Sequence, residues 1–218
     1  MLERTFCAAA LQQNPVSLAP STSMMQIAVH EETMAAMQAY ARVSTAFRVE
    51  RRLVLSADPS APSGVSLSED SVVAPFVKDY DVLPGNHPTE WARRLDTARW
   101  RVFAALVGDA QVGGAILILP KDDAGVQIVA ELWDLRVSPA WRRRGVARAL
   151  WATVEAAALA AGARALRIET QQINVAACRL YDAQGCVLAR VDAEAYPEWP
   201  DEVALHWFKA LPARARAT

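Results

Sequence analysis

The sequence predicts a mixed α/β (α+β) fold, in which helices pack on both faces of one mostly antiparallel central sheet. Two observations support this prediction. Three apolar segments follow one another between residues 100 and 137, and Gly108-Asp109 between the first two is typical of an antiparallel hairpin. Strand and helix patterns then alternate until two strands close the domain. We therefore predict a single domain over residues 24–212.

The first half of the chain predicts the elements that precede the apolar strands. Residues 1–23 are rich in Ala, Gln, Ser and Pro and show no sustained period, so we expect a disordered extension. An alternating apolar pattern follows, and Pro and Gly residues then end successive segments. In chain order we predict a strand from about residue 25, a helix over 31–42, a strand over 46–56, a mixed segment over 72–82, and a helix over 89–98 that Thr89 caps.

The second half shows clearer periodicity. A helix over residues 143–161 places its apolar residues on one stripe, and Gly162 follows where a helix should stop. A shorter helix over residues 174–183 ends before Gly185. The predicted strands cover residues 100–107, 111–119, 126–137, 163–170, 186–191 and 203–209. We expect residues 213–218 to form a flexible tail.

The composition excludes several classes of protein. The chain has 218 residues, of which 53% are hydrophobic and 22% charged, and its formal net charge is -1. This charge provides no overall positive field for a nucleic acid or an anionic membrane, and the apolar stretches are far shorter than the roughly 18 residues of a spanning helix. Three cysteines without a Cys-x-x-Cys pair argue against a disulfide framework and a thiolate zinc site. We therefore expect a cytoplasmic protein with no metal and no nucleic-acid or membrane partner.

A candidate anion site lies where the central strand leads into the long helix. Arg142-Arg143-Arg144-Gly145-Val146-Ala147 begins this helix. The first amides of a helix have no partner within it, and Gly145 and Ala147 let a ligand such as a pyrophosphate approach the backbone closely. The alternative is that two of the three arginines are solvated loop residues.

Other motifs for phosphate binding or hydrolysis do not occur in the chain. The glycine patterns of Walker loops and dinucleotide-binding folds are missing. The Gly-x-Ser-x-Gly and His-Glu-x-x-His motifs are missing too, which disfavours a serine hydrolase and a zinc peptidase.

Two motifs resemble the GNAT superfamily of N-acetyltransferases. They are Arg142-x-x-Gly145-x-Ala147 after a strand that ends Leu135-x-Val137, and Asn174-x-x-Ala177-x-x-Leu180-Tyr181-x-x-x-Gly185. Further stretches are similar to the streptothricin acetyltransferases in particular. They are Arg167-Ile168-Glu169-Thr170-Gln171, Pro75-Phe76-x-Lys78-Asp79-Tyr80, Val191-Asp192, Tyr196 and Glu202-x-Ala204. The similarity covers roughly residues 25–208.

The resemblance implies a GNAT-like fold, acetyl transfer to an amine, and acetyl-CoA as the co-substrate. The residues that it implies for binding acetyl-CoA are Leu135, Arg136, Val137, Arg142, Arg143, Arg144, Gly145, Val146, Ala147, Asn174 and Ala177. For Asn174 an equally good interpretation is that its side chain caps the helix that follows.

The transfer needs a base, because an amine with a pKa near 10.4 is mostly protonated at pH 7 and deprotonation costs about 4 to 5 kcal/mol. Glu131 matches a position where some GNAT enzymes carry this base, and Asp134 is the alternative. Strand alternation puts the two carboxylates on opposite faces unless a bulge intervenes. Glu131 is equally well explained as an exposed carboxylate paired with a neighbouring cation.

The resemblance also implies how the thioester and the thiolate are stabilised. A backbone amide near Val137 would donate to the carbonyl oxygen as that oxygen becomes negative. Tyr181 matches the position where the superfamily often has the acid that protonates the CoA thiolate. The alternative for Tyr181 is a packing role.

Acidic and aromatic residues in loops predict how the acceptor is recognised. Asp79, Tyr80, Asp192 and Tyr196 are candidates for a pocket that binds a small cationic amine, and the resemblance implies the β-lysine chain of streptothricin, with antibiotic resistance as the result. The alternative is that the acidic residues are solvated. Two other functions stay open, namely acetylation of a peptide or protein amine and a non-catalytic CoA-binding module. We expect a monomer or a homodimer.

Overall fold

The computed structural model describes residues 26–120 and 128–212, and within these ranges the chain forms nine strands and four helices. In chain order they are β1 (Ala28–Glu32), α1 (Met37–Tyr40), β2 (Phe47–Ala57), β3 (Val65–Lys78), α2 (Pro88–Arg94), β4 (Trp100–Val107), β5 (Ala110–Ile118), β6 (Val129–Val137), α3 (Val146–Ala160), β7 (Ala165–Gln171), α4 (Val175–Ala183), β8 (Val187–Asp192) and β9 (Ala204–Ala210). None of the helices described is long and apolar enough to cross a membrane. The predicted extension over residues 1–23 and the predicted tail over 213–218 lie outside the described residues.

The strands form one large sheet and a separate hairpin. Seven strands pair in the order β1-β4-β5-β6-β7-β9-β8, and β2 pairs with β3. All pairs of the described sheet are antiparallel except β6–β7, for which α3 provides the crossover that a parallel pair requires. The predicted mixed, mostly antiparallel sheet is confirmed.

Apolar clusters lie on both faces of the sheet. On one face, Leu150 of α3 and Tyr181 of α4 pack in the same cluster as Leu117 of β5. On the other face, Tyr40 of α1 packs in a cluster with Ile116. Because Ile116 and Leu117 are adjacent in one strand, they point to opposite faces. Helices therefore cover both faces, as predicted.

The hairpin of β2 and β3 is longer than the sequence pattern predicts. The expected mixed segment over residues 72–82 is in fact the second half of β3, which ends at Lys78. The pairing shifts between Val49 and Arg51, so that residues 72–75 lie opposite Glu50 alone. This bulge contains Pro75 and interrupts the alternation that identifies a strand.

Two helices differ from the prediction. Most of the helix expected over residues 31–42 is replaced by the end of β1, a 3-10 turn and the four-residue α1. The prediction that Thr89 caps α2 is wrong, because His87 is the N-cap and Pro88 the first helical residue. Proline suits that position since its missing N–H needs no partner there. The Thr89 hydroxyl instead pairs with Nδ1 of His87 at 2.7 Å.

Two adjacent glycines let helices approach β5 from both faces. A Cβ at Gly113 would lie 2.8 Å from Cγ1 of Val146 at the start of α3. A Cβ at Gly114 would lie 2.5 Å from the Tyr40 ring of α1. Contacts this short do not occur in close-packed proteins, so both helices rest directly on the backbone of β5.

We expect Gly114→Ala to lower the free energy of unfolding by about 1–3 kcal/mol, because the added methyl group overpacks against the buried Tyr40 ring. Chemical denaturation followed by tryptophan fluorescence measures the change. The control is Ser66→Ala at an exposed position of β3, which should stay within about 0.5 kcal/mol of the unchanged protein. Equal stability of the two variants would contradict the packing described for β5.

Candidate active site

A notch opens in the sheet where β6 and β7 separate. These strands stop pairing after Leu132 and Ile168. Beyond this point, β6 continues to Val137 and pairs, among the described strands, with β5 alone. The backbone N–H and C=O groups on the other edge of residues 133–137 therefore face the notch. An edge of this kind can hydrogen-bond an extended ligand in the way that it would bind an added strand.

A β-bulge lies where the notch begins. In the pairing of β6 with β5, Trp133 is an extra residue between Leu132 and Asp134. The extra residue turns Glu131 and Asp134 to the same face of the sheet, which is the face covered by α1 and α2. Regular alternation places these carboxylates on opposite faces, so the bulge explains why both can reach one site.

Asp134 belongs to a buried charge network. The Arg136 guanidinium, in a residue that is 2% exposed, donates to Asp134 at 2.7 Å and to Asp81 at 3.2 Å. The Tyr40 hydroxyl also donates to Asp134, and Arg136 donates to the Val43 carbonyl at 3.1 Å. Burial alone lowers the pKa of Arg136, but the two carboxylates raise it overall and keep the group charged. The Arg136 side chain is thus fully engaged within the fold, and strand alternation directs its backbone N–H and C=O towards β5.

Glu131 is paired with an arginine of the neighbouring strand. Arg167 lies opposite it in β7, and the guanidinium donates to the Glu131 carboxylate. The Glu131 side chain is 25% exposed, so water reaches it. This geometry matches the interpretation of an exposed carboxylate paired with a cation, and it leaves Glu131 accessible from the notch.

The turn before α3 exposes backbone amides. Gly145 is the N-cap with a φ of 89°, a left-handed conformation that favours glycine, and Arg143 has a φ of 63°. No side chain caps α3, and the amides of residues 146–148, which we call the amide row, have no acceptor among the described residues. The start of a helix with free amides is an anion-binding site.

The three consecutive arginines have different surroundings. Arg142 donates to the Val137 carbonyl at 3.1 Å and to the Ala46 carbonyl at 2.7 Å, and burial lowers its pKa. It therefore ties the end of β6 to the start of β2. Arg143 and Arg144 are exposed next to the amide row. These two residues supply the accessible positive charge at this turn.

The other residues predicted at this end of β6 divide between the core and the amide row. Leu135 and Val137 pack against the larger apolar cluster, and Val146 is buried in it. Their side chains hold β6 and α3 together while their backbones remain at the notch. Ala147 is only partly buried, and its small side chain leaves the amide row accessible.

The start of α4 faces the loop after β3. The Asn174 side chain accepts a hydrogen bond from the Ala177 amide at 3.2 Å and so caps the helix. The Tyr80 hydroxyl of the loop is buried and has no hydrogen-bond partner among the described residues. Burial raises the pKa of Tyr80, and the charge of Glu202 raises it further, whereas the nearby Asn174 side chain lowers it. Because an unpartnered buried hydroxyl often marks the place of a ligand or an ordered water, Tyr80 is a candidate ligand-binding residue.

Tyr181 is a buried residue of α4. Its ring lies 6.0 Å from that of Trp151 and 6.4 Å from that of Trp207, between centroids. Burial raises the pKa of Tyr181 and keeps its hydroxyl protonated. Tyr181 therefore packs in the core, in the same apolar cluster as Leu132 of β6.

Two of the predicted acceptor-binding carboxylates are engaged in local contacts. Asp79 accepts a hydrogen bond from the Asp81 amide at 3.0 Å. Asp192 pairs with Arg190 at 3.3 Å and accepts from the Glu194 amide at 3.1 Å. Such bonds between a carboxylate and a nearby amide shape loops. The contacts thus give both residues a loop-shaping role.

Tyr196 leads to a carboxylate that the sequence analysis missed. Its hydroxyl donates to Oε1 of Glu169 at 2.9 Å. Glu169 lies two residues after Arg167 in β7, so it is on the same face of the sheet as Glu131. Strand periodicity already placed Arg167 and Glu169 together, but no signal in the sequence showed that the sheet parts beside them.

A groove of about 560 Å³ lies between β3 and the segment before β9. Its lining is mainly apolar and includes Val73, Phe76 and Trp199, while its charged residues are Arg52, Asp70, Glu198, Asp201 and Glu202. Glu202 is 7% exposed and pairs with Lys78 at 2.6 Å. Nζ of Lys78 lies 5.7 Å from the centre of the Tyr80 ring, and the Trp199 amide donates to the Tyr196 carbonyl at 2.9 Å. Both tyrosines are therefore close to groove residues, although neither lines the groove.

The sequence matches known acetyltransferases. The model of the acetyltransferase (GNAT) family matches residues 70–186, a range that includes β6, the amide row and α4. Streptothricin acetyltransferase of Escherichia coli is 34% identical over 148 residues, which is 66% of this chain and 76% of that protein.

Solved structures share the fold. A Bacillus anthracis protein assigned as a streptothricin acetyltransferase, solved in complex with acetyl coenzyme A, has a TM-score of 0.68 at 22% identity, covering 87% of this chain and 99% of its own. Nourseothricin acetyltransferase has a TM-score of 0.67 at 22% identity, over 85% and 99% of the two chains. The ribosomal-protein-S18-alanine N-acetyltransferase of Escherichia coli has a TM-score of 0.58 at 17% identity, over 88% and 99%.

We expect Arg136→Met to lower the free energy of unfolding by about 3–5 kcal/mol, because it leaves the Asp134 and Asp81 carboxylates without their buried cation. Urea denaturation measures the loss. Arg148→Met, at an exposed position of α3, is the matched control and should change stability by less than about 0.5 kcal/mol. A loss no larger than that of the control would show that Arg136 does not hold this network together.

Proposed function

Because this chain belongs to the acetyltransferase (GNAT) family of N-acetyltransferases, we propose that it transfers the acetyl group of acetyl-CoA to an amine of streptothricin. The observation that carries the proposal is the position of the amide row beside the unpaired edge of β6. A diphosphate needs hydrogen-bond donors, and an extended pantetheine arm needs a free strand edge. Both features adjoin the notch.

The amide row and the exposed Arg143 and Arg144 fit the diphosphate of acetyl-CoA, through backbone hydrogen bonds and through charge. A Cβ at Gly145 would have one neighbour within 4 Å, at 3.8 Å, so the space before the amide row is open. Ala147 keeps it so. Arg142 supports this turn from behind, since its guanidinium is bonded to two carbonyls.

The pantetheine arm would lie along the edge of residues 133–137. The Ser138 amide donates to the Val112 carbonyl, so by strand alternation Arg136 also faces β5, whereas the N–H and C=O of Leu135 and the N–H of Val137 face the notch. Asn174 and Ala177, at the start of α4, would contact this arm from the other side of the notch. A backbone amide near Val137 would donate to the thioester oxygen as negative charge develops on it.

Glu131 is the proposed base and acts through a water molecule. The acceptor ammonium must lose a proton at a cost of about 4 to 5 kcal/mol at pH 7. Glu131 is 25% exposed with one arginine partner, whereas Asp134 already accepts from Arg136 and Tyr40 in the buried network. We therefore assign proton removal to Glu131 and the support of the bulge to Asp134.

Tyr181 is the proposed acid. A thiolate with a thiol pKa near 8.5 leaves more readily when it receives a hydrogen bond or a proton. Because burial raises the pKa of Tyr181, its hydroxyl remains a donor throughout the neutral range. The same burial opposes complete proton loss, so a strong hydrogen bond to the departing sulfur is the main contribution that we propose.

The surroundings of the notch suit a small cationic acceptor. Tyr80 and Tyr196 are close to a groove that contains Trp199 and four carboxylates, and aromatic and acidic groups together favour a cation. Asp79 and Asp192 would act by holding the loops of these tyrosines. Acetylation neutralises an ammonium group and so removes a charge-assisted contact to a phosphate-rich target, from which we propose that the protein confers resistance to streptothricin.

We expect release of CoA thiol only when acetyl-CoA and streptothricin are both present, with a matching mass increase of the antibiotic.

Gly145→Ala should weaken acetyl-CoA binding at least threefold in calorimetry, because alanine disfavours the left-handed backbone that presents the amide row. Gly162→Ala imposes the same strain at the other end of α3 and should leave the affinity unchanged. Failure of the folded protein to bind acetyl-CoA would contradict the whole proposal. Faster acetylation of a peptide amine would contradict the acceptor alone.

We expect Tyr181→Phe to lower kcat by a factor on the order of 100 while the affinity for acetyl-CoA stays within about twofold. With Tyr181 present, kcat/KM should rise from pH 7 to pH 9 as the acceptor amine loses its proton. Burial raises the pKa of Tyr181, so the hydroxyl should cause no fall in this range. Steady-state rates across this pH range test both statements. Unchanged kcat in Tyr181→Phe would exclude the acid role.

A further inference from the structure

We infer that Glu169 binds the ammonium group of the acceptor that is not being acetylated, and that Tyr196 and His206 orient its carboxylate. This inference rests on the proposed function, because it concerns the acceptor of the same notch. It makes Glu169 a determinant of specificity for acceptors that carry two amines.

Glu169 lies at the point where β6 and β7 separate. Arg167 lies opposite Glu131, and Glu169 follows two residues later on the same face. The last pair of β6 and β7 is Leu132 with Ile168, so Glu169 is the first residue of β7 beyond that pair. Its carboxylate is therefore at the mouth of the notch, on the face to which Glu131 and Asp134 point.

The charges around the notch also favour Glu169. In strands β6 to β9, strand register places four carboxylates on this face, and three of them have an arginine partner. Glu131 pairs with Arg167, Asp134 with Arg136 and Asp192 with Arg190. Glu169 has no lysine or arginine partner in the part of the chain that the structure describes, and its side chain is 47% exposed. An accessible carboxylate without a cation is the one that a cationic ligand can pair with.

Two neighbouring side chains hold the Glu169 carboxylate in place. Tyr196 donates to Oε1 at 2.9 Å, and Nδ1 of His206 lies 3.8 Å from Oε2. Arg190 Nη2 lies 2.9 Å from Nε2 of His206. Since arginine can only donate, Nε2 must accept, and the proton of the neutral imidazole is on Nδ1, facing the carboxylate. Both neighbours orient Glu169 without neutralising its charge.

The spacing of the carboxylates suits a short diamine. Two residues of a strand advance about 6–7 Å, so Glu131 and Glu169 are about that far apart along the strand direction. An amine that is deprotonated near Glu131 can therefore belong to a molecule whose second amine, still charged, reaches Glu169. A diamine chain such as β-lysine has this form.

The test compares Glu169→Gln with Glu31→Gln. Glu31 lies in β1, at the edge of the sheet far from the notch, and its carboxylate pairs with Arg101 of β4. The acceptors are streptothricin, 3,6-diaminohexanamide, and the single-amine amides 3-aminohexanamide and 6-aminohexanamide. For Glu169→Gln we expect KM for the diamine to rise at least tenfold, with kcat within about threefold and the affinity for acetyl-CoA unchanged. The preference for the diamine over the better single-amine amide should fall by a similar factor. Glu31→Gln should change none of these values by more than about twofold.

Tyr196→Phe tests the positioning role. We expect it to raise KM for the diamine by a few-fold and to add nothing in the double variant with Glu169→Gln, because the hydroxyl acts through that carboxylate. Additive effects of the two changes would exclude this role for Tyr196. Thermal unfolding of each variant provides a check on folding.

Two results would overturn the inference. One is an unchanged KM for the diamine in Glu169→Gln, and the other is a loss confined to kcat, which would place Glu169 in the chemistry instead. Calorimetric binding of 3,6-diaminohexanamide to the CoA-bound protein separates the inference from the proposed function. If the diamine binds with at least tenfold lower affinity to Glu169→Gln but is not acetylated, the inference stands and the proposed function fails. If the unchanged protein does not bind the diamine, the inference fails.

Discussion

The separation of β6 from β7 is the constraint on which the rest of the site depends. Parallel strands need a crossover helix, and here α3 leaves the end of β6 and returns to β7. The N-terminus of α3 is therefore at the carboxyl end of the strand whose edge is unpaired. An anion site and a strand edge that can bind a ligand consequently adjoin each other without any dedicated loop. The bulge at Trp133 adds a carboxylate to the face that already carries Glu131.

Buried arginine and lysine residues fix the polar elements around the notch. Isolated buried charges are costly, so each of these cations is paired and hydrogen-bonded. Arg136 joins the bulge to the loop after β3, because Asp134 and Asp81 share its guanidinium. Lys78 joins the end of β3 to Glu202 before β9. Ion pairs thus hold the segments around β3 and β9 in place, whereas the start of α3 presents backbone amides.

The sequence predicted those parts of the structure that local patterns determine. Strand β4 has the predicted bounds, and Gly145 and Asn174 lie at the helix starts where their residue types are favoured. The bulge at Trp133 was not predictable, because an extra residue in one strand is defined only by its pairing with another. The motif assigned Arg136 to coenzyme binding, but its side chain pairs with Asp81. Asp81 is distant in sequence, so only the fold shows this pairing. Glu169 was overlooked because its importance depends on where two strands part.

The hairpin of β2 and β3 is not part of the seven-stranded sheet, yet it forms one wall of the groove. Leu53 anchors it in the larger apolar cluster, the Leu53 amide donates to the Gln172 carbonyl at 2.9 Å, and Glu69 pairs with Arg179 of α4. Val73 and Phe76 of β3 line the groove and are exposed, outside that cluster. Substitutions at these two positions would therefore alter the shape and charge of the groove while the core and the seven-stranded sheet keep their packing.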